Sequence, residues 1–425
     1  MQVLRAGDYG YEAARKPAIP RFADVRPEAV IRCASSDDIA EALAYARERG
    51  LPAVARSGGH CFAGTSSSSG VVIDVTPLSH ITVDGDTAEI GAGRRLEDAY
   101  DGLLTHGRTI PAGCGPDVGI AGLVLGGGLG VLGRAHGLTC DSLTGAEVVL
   151  RDGTILTCDE ERHPDLLWAL RGGFGARACI ASSFRFATLA PPGLTTFHAS
   201  FAPERMGDVI DAWQAWSPDT PDELAASLVI TVPAAVDLPP VVMVFGAMAG
   251  NESDVEDQLA GLGIEPETLE RANRTHREAK RHLAETGATN GGVAELETGL
   301  AYSYSNYFAR PVPGAELAAL LLADRVAGEL RELDFSPWAG AYNRVAPGAT
   351  AFVHRDARFL LKQTATVQER GPTPFLRASA AFARPYGTGG VYPNFPEDGL
   401  EDLGPAYYGG NTERLRAVGA LYRRT

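Results

Sequence analysis

The sequence of 425 residues predicts an α+β fold with two domains. Short apolar strands alternate with helices at close spacing in the first half, which is typical of a layered α+β domain. Near Pro191-Pro192-Gly193 the pattern changes to longer helices with strands between them, and past Tyr386 Pro, Gly and aromatic residues become frequent. We therefore expect a first domain over 1–190, a second over 191–385, and a return of 386–425 to the first.

Apolar runs and turn signals predict the elements of the first domain in order. A helix begins at the Ser36-Asp37-Asp38 cap and continues to about Arg49, with apolar residues at helical spacing. A second helix, Leu96–Thr105, ends before Gly107, and a third covers Asp165–Arg171. The expected strands are Ala29–Cys33, Leu51–Ala55, Val71–Val75, Ile81–Val83, Ala88–Ile90, a hairpin over Glu147–Thr157 with an Asp-Gly turn, and Ser183–Thr188.

The second domain is predicted as a sheet covered by helices. The expected helices are Pro203–Trp216, Asp254–Leu262, Glu267–Glu285 and Ala315–Leu333. The expected strands are Leu228–Thr231, Val241–Ala247 and Thr364–Gln368.

Composition excludes several classes of function. The net charge of -15 disfavours nucleic acid and anionic membranes as partners. No apolar stretch is long enough to span a bilayer and no secretory signal is visible, so we expect a cytoplasmic protein. The six cysteines form no CxxC pair, so we expect free thiols and no metal site.

Two glycine-rich stretches carry the chemical signal. In the first, a strand ending at Arg56 leads into Ser57-Gly58-Gly59, a turn whose exposed backbone N–H groups suit phosphate oxygens, and His60 follows directly. The second, Pro111–Leu143, has a glycine density that costs backbone entropy unless the chain must approach something closely. It contains a literal GxGxxG, Gly128 to Gly133, but a hairpin follows it, so a nicotinamide Rossmann site is the weaker alternative.

Taken together, the motifs resemble those of berberine-bridge-enzyme-like oxidoreductases, in the vanillyl-alcohol oxidase and p-cresol methylhydroxylase superfamily. The matching segments are Arg56 to Gly64, Val118-Gly119 with Gly122, Gly126 to Gly130, Arg134 to Asp141, Leu167–Phe186, Val391–Phe395 and Tyr407–Leu415. One departure lies at Phe174–Cys179, where bulkier residues stand in place of the family's glycines.

This resemblance implies a two-part FAD-binding domain and a substrate domain, with the flavin bonded through its 8α carbon to His60. Many members have a second bond from a cysteine placed three residues before the Val-Gly pair. Here Cys114 stands four residues before Val118, so the second bond stays open. The residues expected to bind the cofactor are Arg56, Ser57, Gly58, Gly59, His60, Gly64, Cys114, Val118, Gly119, Gly122, Gly126, Gly127, Gly128, Gly130, Ile180, Tyr408 and Asn411.

The resemblance also assigns the catalytic base to Tyr392, and we expect Asn394 to orient this tyrosine or to touch the flavin edge. A phenol has a pKa near 10, so we expect Lys362 and Arg355 to lower the pKa of Tyr392. The implied reaction is flavin-dependent oxidation of an alcohol, amine or related group in a small molecule of secondary metabolism, with O2 as acceptor. The alternatives are a carbohydrate oxidase, a dehydrogenase with another acceptor, and a flavin-bearing scaffold without catalysis. The oligomeric state is not predicted.

Overall fold

A computed structural model describes residues 1–288, 299–369 and 371–423. Its strands are β1 (Gln2–Leu4), β2 (Ala29–Arg32), β3 (Ala53–Arg56), β4 (Val71–Asp74), β5 (Ile81–Asp84), β6 (Thr87–Gly91), β7 (Leu143–Leu150), β8 (Ile155–Asp159), β9 (Cys179–Ala187), β10 (Leu194–Phe201), β11 (Leu224–Val232), β12 (Val241–Met248), β13 (Thr268–Arg274), β14 (Leu300–Phe308), β15 (Leu330–Pro337) and β16 (Phe359–Val367). Its helices are α1 (Tyr11–Arg15), α2 (Ser36–Glu48), α3 (Leu96–Leu104), α4 (Ile120–Leu125), α5 (Gly133–His136), α6 (Pro164–Leu170), α7 (Met206–Trp216), α8 (Glu252–Ala260), α9 (His276–Ala288), α10 (Gly314–Leu322), α11 (Ala341–Arg344), α12 (Pro374–Ala383), α13 (Pro405–Tyr408) and α14 (Thr412–Tyr422).

The first half of the chain builds two separate sheets. One has the order β1-β2-β4-β3, in which β2, β4 and β3 are parallel and β1 is antiparallel. The other is antiparallel, with the order β5-β6-β9-β7-β8. Helix α2 is capped by the Ser35 hydroxyl and buries its apolar side in the core that the two sheets share. The predicted Asp-Gly hairpin joins β7 to β8, with Gly153 at a φ of 92°.

A seven-stranded antiparallel sheet, β13-β10-β12-β11-β15-β16-β14, follows. Helices α7, α8 and α12 contact one face of it, and α10 packs beside α7 and α12. Their apolar residues form a second core with Trp213 and Phe359. Helix α9 lies on the opposite face, where Ala279 and Leu283 pack near Leu194 and Ala247. The expected sheet covered by helices is therefore present.

Two expected helices of this region were wrong. The first part of Glu267–Glu285 is the edge strand β13, which pairs with β10, and the helix begins only at His276. The composition of this charged segment favours a helix, but hydrogen bonding to the edge of the sheet makes it a strand. The second, Ala315–Leu333, ends as a helix at Leu322, and β15 follows a turn with Asp324 and Gly328 at positive φ.

The last part of the chain packs against the first domain. Helix α14 contacts α6, and Tyr422 donates a hydrogen bond of 2.8 Å to Asp165. The loops between β15 and β16 also enter the first core, through Trp338 and Phe352. We retain the boundaries at 190 and 385 as a proposal, and we add that the loops between β15 and β16 reach into the first domain. In the part of the chain that the structure describes, none of the helices combines the length and the apolar character needed to cross a bilayer.

Candidate active site

A cavity of about 1620 Å³ lies between the two sheets of the first half of the chain. Its volume exceeds the range of about 300–1,000 Å³ that is usual for a site holding one small ligand. Ten of the predicted site residues line it: Ser57, Gly58, Gly59, His60, Val118, Gly119, Gly122, Ile180, Tyr392 and Asn394. The turn after β3, the loop before α4, strand β9 and the segment after Gly390 thus meet around one space, although they are far apart in the chain.

Two glycines allow the wall to form. Gly58, in the turn after β3, and Gly119, at the start of α4, face each other so closely that a Cβ on either would overlap the other's backbone nitrogen. The Ser57 side chain also lies against Gly119 and donates a hydrogen bond of 2.8 Å to the Ala92 carbonyl. Both turns are therefore held in direct backbone contact, and the cavity wall depends on it.

We expect Gly119→Ala to destabilise the protein by about 1–3 kcal/mol, because the added methyl group has no space and must push two backbone turns apart. Gly122→Ala is the matched control, since a Cβ there meets nothing within 4 Å and alanine favours the helix. Thermal unfolding of both variants checks this. Equal melting temperatures for the two would show that the contact does not hold the wall.

His60 stands directly beside this contact. Burial lowers the pKa of His60, and the nearby Arg95 lowers it further, whereas the Asp117 carboxylate and backbone carbonyl raise it. The imidazole is therefore neutral near pH 7 and keeps a lone pair on one nitrogen. Its Nε2 atom is buried and has no hydrogen-bond partner among the described residues. A buried ring nitrogen without a partner is unusual, and it belongs to a residue that lines the cavity.

Tyr392 lies on the wall with its hydroxyl group surrounded by donors. The backbone N–H groups of Gly128 and Leu129 donate to it at 3.0 and 3.1 Å. The side-chain amide of Asn394 donates to the same oxygen at 3.2 Å and also to the Leu123 carbonyl at 2.9 Å. Burial raises the pKa of Tyr392 to about 12, and these three donors act against it.

The glycine run Gly126–Gly130 makes this arrangement possible. The side chain of Asn394 lies where a Cβ of Gly126 would stand, and the rings of Phe352 and Tyr392 lie close to Gly127. Gly127 and Gly128 both have positive φ, and the run leads into the four-residue helix α5. A Rossmann motif requires a strand before it and a long helix after it, so the nicotinamide alternative does not fit.

The expected role of the two cations was wrong. Arg355 binds Asp141 in a two-pronged ion pair at 2.7 and 2.9 Å. Lys362 lies 3.3 Å from Asp334, and its Nζ stands 5.1 Å from the centre of the Phe395 ring. Both charges are neutralised by their own carboxylates, so hydrogen bonds rather than cations act on the pKa of Tyr392.

Nine predicted cofactor residues do not line the cavity. Arg56 is buried and donates to the Ala14, Arg15 and Ser66 carbonyls, so it fixes loops. Asn411 likewise donates to three carbonyls, and Tyr408 is buried. The others are Gly64, Cys114, Gly126, Gly127, Gly128 and Gly130. All six cysteines have free thiols.

Sequence reasoning missed part of the wall. Phe62 and Phe395 line it and form an edge-to-face pair with ring centres 5.8 Å apart. Phe174 and Arg177 also line it, and both have positive φ. Such conformations cost about 1–3 kcal/mol each and cluster at functional sites. The sequence feature that could have indicated Phe174 and Arg177 is the departure at Phe174–Cys179, where bulkier residues replace the family's glycines.

Comparison with known proteins identifies the family. A model described as an FAD binding domain matches residues 27–159. An uncharacterized FAD-linked oxidoreductase of Bacillus subtilis (strain 168), YgaK, is 30% identical over 427 residues, which cover 93% of this chain and 88% of YgaK. This chain belongs to the berberine-bridge-enzyme-like FAD-linked oxidoreductases. It is an FAD-dependent oxidoreductase that oxidises a small molecule, and its relatives include proteins named as glucooligosaccharide and xylooligosaccharide oxidases.

Solved structures share its fold. Xylooligosaccharide oxidase from Myceliophthora thermophila C1, in complex with xylobiose, has 26% identity and a TM-score of 0.84, covering 99% of this chain and 93% of that one. Glucooligosaccharide oxidase from Acremonium strictum has 24% identity and a TM-score of 0.83, covering 99% and 94%. That oxidase carries a 6-S-cysteinyl, 8α-N1-histidyl FAD. The two-domain α+β flavoprotein fold is thereby confirmed.

The residues of this oxidoreductase fit FAD on structural grounds. The cavity is large enough for a dinucleotide, and glycines Gly58, Gly59 and Gly119 leave backbone atoms on its wall without side chains. The neutral imidazole of His60 has a buried nitrogen without a partner among the described residues. The volume of the cavity, its side-chain-free backbone and the unpartnered nitrogen are each compatible with bound FAD.

Proposed function

We propose that this oxidoreductase carries FAD covalently through His60 and oxidises an alcohol or amine carbon of a small metabolite, with O2 as electron acceptor. The observation that carries the proposal is the meeting of His60 and Tyr392 on one cavity wall. The imidazole of His60 suits covalent attachment of the flavin, and the hydroxyl of Tyr392 suits removal of a proton from the substrate. The remaining cofactor residues named from the sequence do not line the cavity.

Attachment through His60 alone fits the geometry. Cys114 packs against the apolar cluster that contains Leu132, Leu194 and Leu283, and it does not line the cavity. Gly115 occupies the position where relatives with a second bond have cysteine, and it contacts Val118. The second bond described for the glucooligosaccharide oxidase is therefore not part of the proposal.

Proton removal is assigned to the oxygen of Tyr392. Bound FAD would supply the acceptor for the hydride, which carries both electrons of the oxidation. A neutral phenol has only two lone pairs, and its O–H group needs an acceptor of its own. A phenolate has no proton and can accept hydrogen bonds from all three N–H donors, those of Gly128, Leu129 and Asn394. The donor set thus stabilises the anion, which is the form that accepts a proton from a substrate O–H or N–H.

The substrate face follows from the register of the large sheet. Ser305 accepts a hydrogen bond from the Tyr392 backbone at 3.3 Å, and its cross-strand neighbour is Lys362. Asp334 pairs with Lys362 on the next strand. Neighbouring strands lie about 4.8 Å apart, so Lys362 is one strand and Asp334 two strands away from Ser305, which contacts Tyr392. We propose that this face binds polar groups of the substrate.

The proposal predicts a specific sequence of colour changes. Under anaerobic conditions the correct alcohol or amine should bleach the flavin absorbance, and admitting air should restore it while oxygen is consumed. A panel of alcohols, amines and oligosaccharides, followed by absorbance and an oxygen electrode, checks this. Bleaching that persists in air but is reversed by another acceptor would make the enzyme a dehydrogenase.

Oxidation of a carbohydrate is the second candidate function. The relatives named as glucooligosaccharide and xylooligosaccharide oxidases match 94% and 92% of this chain. Bleaching by an oligosaccharide alone would select it over a secondary metabolite. The cytoplasmic location inferred from the sequence remains a prediction, which cell fractionation tests.

A further inference from the structure

Helix α9 docks on the first domain through two pairs of side chains, each spaced four residues apart. The outer pair, Arg277 and Arg281, forms ion pairs with Asp101 and Glu97 of α3. These residues are exposed, and surface ion pairs contribute little to stability.

The inner pair, His276 and Lys280, is buried. Residues four apart lie on one side of a helix, so both side chains reach the same segment of the first domain, residues 109–112. His276 Nε2 lies 3.1 Å from the Thr109 hydroxyl, and Lys280 Nζ donates to the Ala112 carbonyl at 2.5 Å. Lys280 also donates to the Tyr100 hydroxyl at 3.0 Å.

Lys280 thereby holds the start of the loop that ends beside His60. Tyr100 connects Lys280 to the next residue of the loop, because its hydroxyl donates to the Gly113 carbonyl at 2.6 Å. The Ala112 carbonyl in turn lies against Gly130 of the glycine run. Four residues after Gly113, Asp117 makes the carbonyl contact with the imidazole of His60.

The cost of burying Lys280 argues against simple packing. Among the described residues no carboxylate pairs with it, and its contacts are a carbonyl, a phenol and the face of the Tyr100 ring. Burying a cation without a counter-ion is expensive, and a leucine would fill the same space more cheaply. What Lys280 provides in place of apolar packing is its two hydrogen bonds to the Ala112 carbonyl and the Tyr100 hydroxyl.

We propose that Lys280 is a positioning residue for flavin attachment: through Ala112, Tyr100 and Gly113 it fixes the Cys114–Gly119 loop and so the imidazole of His60. The inference rests on the proposed attachment at His60. It assigns a role in cofactor maturation to a helix of the substrate domain, and that role is separate from proton removal by Tyr392.

The test is the rate of covalent attachment in the full-length protein. Flavin-free protein is prepared from riboflavin-starved cells and mixed with FAD in air-saturated buffer, and samples are precipitated with acid over time. Attachment would replace one C–H bond of the 8α-methyl group and the imidazole N–H bond by a C–N bond, and the two protons and two electrons released would pass to O2 through the flavin. Lys280→Met should still bind FAD but attach it about 10- to 100-fold more slowly, the scale expected when a reacting group is misplaced by about 1 Å. Total bound flavin, measured before precipitation, separates binding from attachment.

Arg277→Gln is the matched control, because it removes a surface contact of the same helix without touching the loop. It should attach FAD at the wild-type rate. Attachment at an equal rate in Lys280→Met, or equal slowing in both variants, would overturn the proposal. If Lys280→Met does not fold, Tyr100→Phe takes its place, since it removes only the hydroxyl that reaches Gly113. No acid-stable flavin in the wild type would refute attachment at His60 itself, and the inference with it.

Discussion

Replacing His60 by alanine is expected to abolish acid-stable flavin completely. The only buried ring nitrogen on the cavity wall without a partner, among the described residues, belongs to His60, and burial keeps its pKa low enough for a free lone pair. Alanine removes this nucleophile but leaves the turn and the cavity. FAD should therefore still bind, and acid should release all the yellow colour into the supernatant.

Cys114→Ala is the control for this prediction. Its sulfur packs between the domains rather than on the wall, so acid-stable flavin and the visible spectrum should stay as in the wild type. Partial retention of colour in His60→Ala, lost only when Cys114 is also replaced, would contradict a single attachment.

The second large effect is expected from Tyr392→Phe. The variant keeps the ring that packs against Phe352 and Phe395 but loses the oxygen that takes the proton. Flavin content should be unchanged, and flavin reduction by substrate should slow by about 10²- to 10⁴-fold, the usual contribution of a positioned base. Stopped-flow reduction under anaerobic conditions measures this directly.

The pH profile adds an independent check. The pKa of Tyr392 is raised to about 12, and the base is active only when deprotonated. The wild-type reduction rate should therefore rise with pH by about tenfold per unit below that value. In Tyr392→Phe this rise should disappear. Tyr407→Phe, which alters a buried tyrosine away from the wall, should behave like the wild type. A full rate in Tyr392→Phe would assign proton removal to another group.

Much of the first domain could be predicted because local signals and tertiary structure agree there. The strand before Arg56, the start of α2 and the Asp-Gly hairpin are each set by neighbouring residues, although the capping residue is Ser35 and not the predicted Ser36. Six of the ten predicted site residues on the wall, Ser57 to His60 with Val118 and Gly119, lie in turns whose glycine content already indicates close backbone approach.

The rest depends on contacts that sequence does not display. Strand β13 is helical in composition and becomes a strand by pairing with β10. Lys362 was expected to act on Tyr392, but its cross-strand carboxylate, Asp334, is set by sheet register. Which glycines face the cavity and which face their own neighbours, such as Gly126 beneath Asn394, is likewise a matter of tertiary packing.

The most direct test of the central claim is the mass of the flavin-bearing peptide. Trypsin should release His60 in peptide 57–94 and Cys114 in peptide 109–134. Attachment through His60 alone predicts that the first peptide carries the mass of one FAD, with fragmentation placing it on His60, while the second peptide is unmodified. An unmodified first peptide, or the two peptides joined through one flavin, would contradict the account.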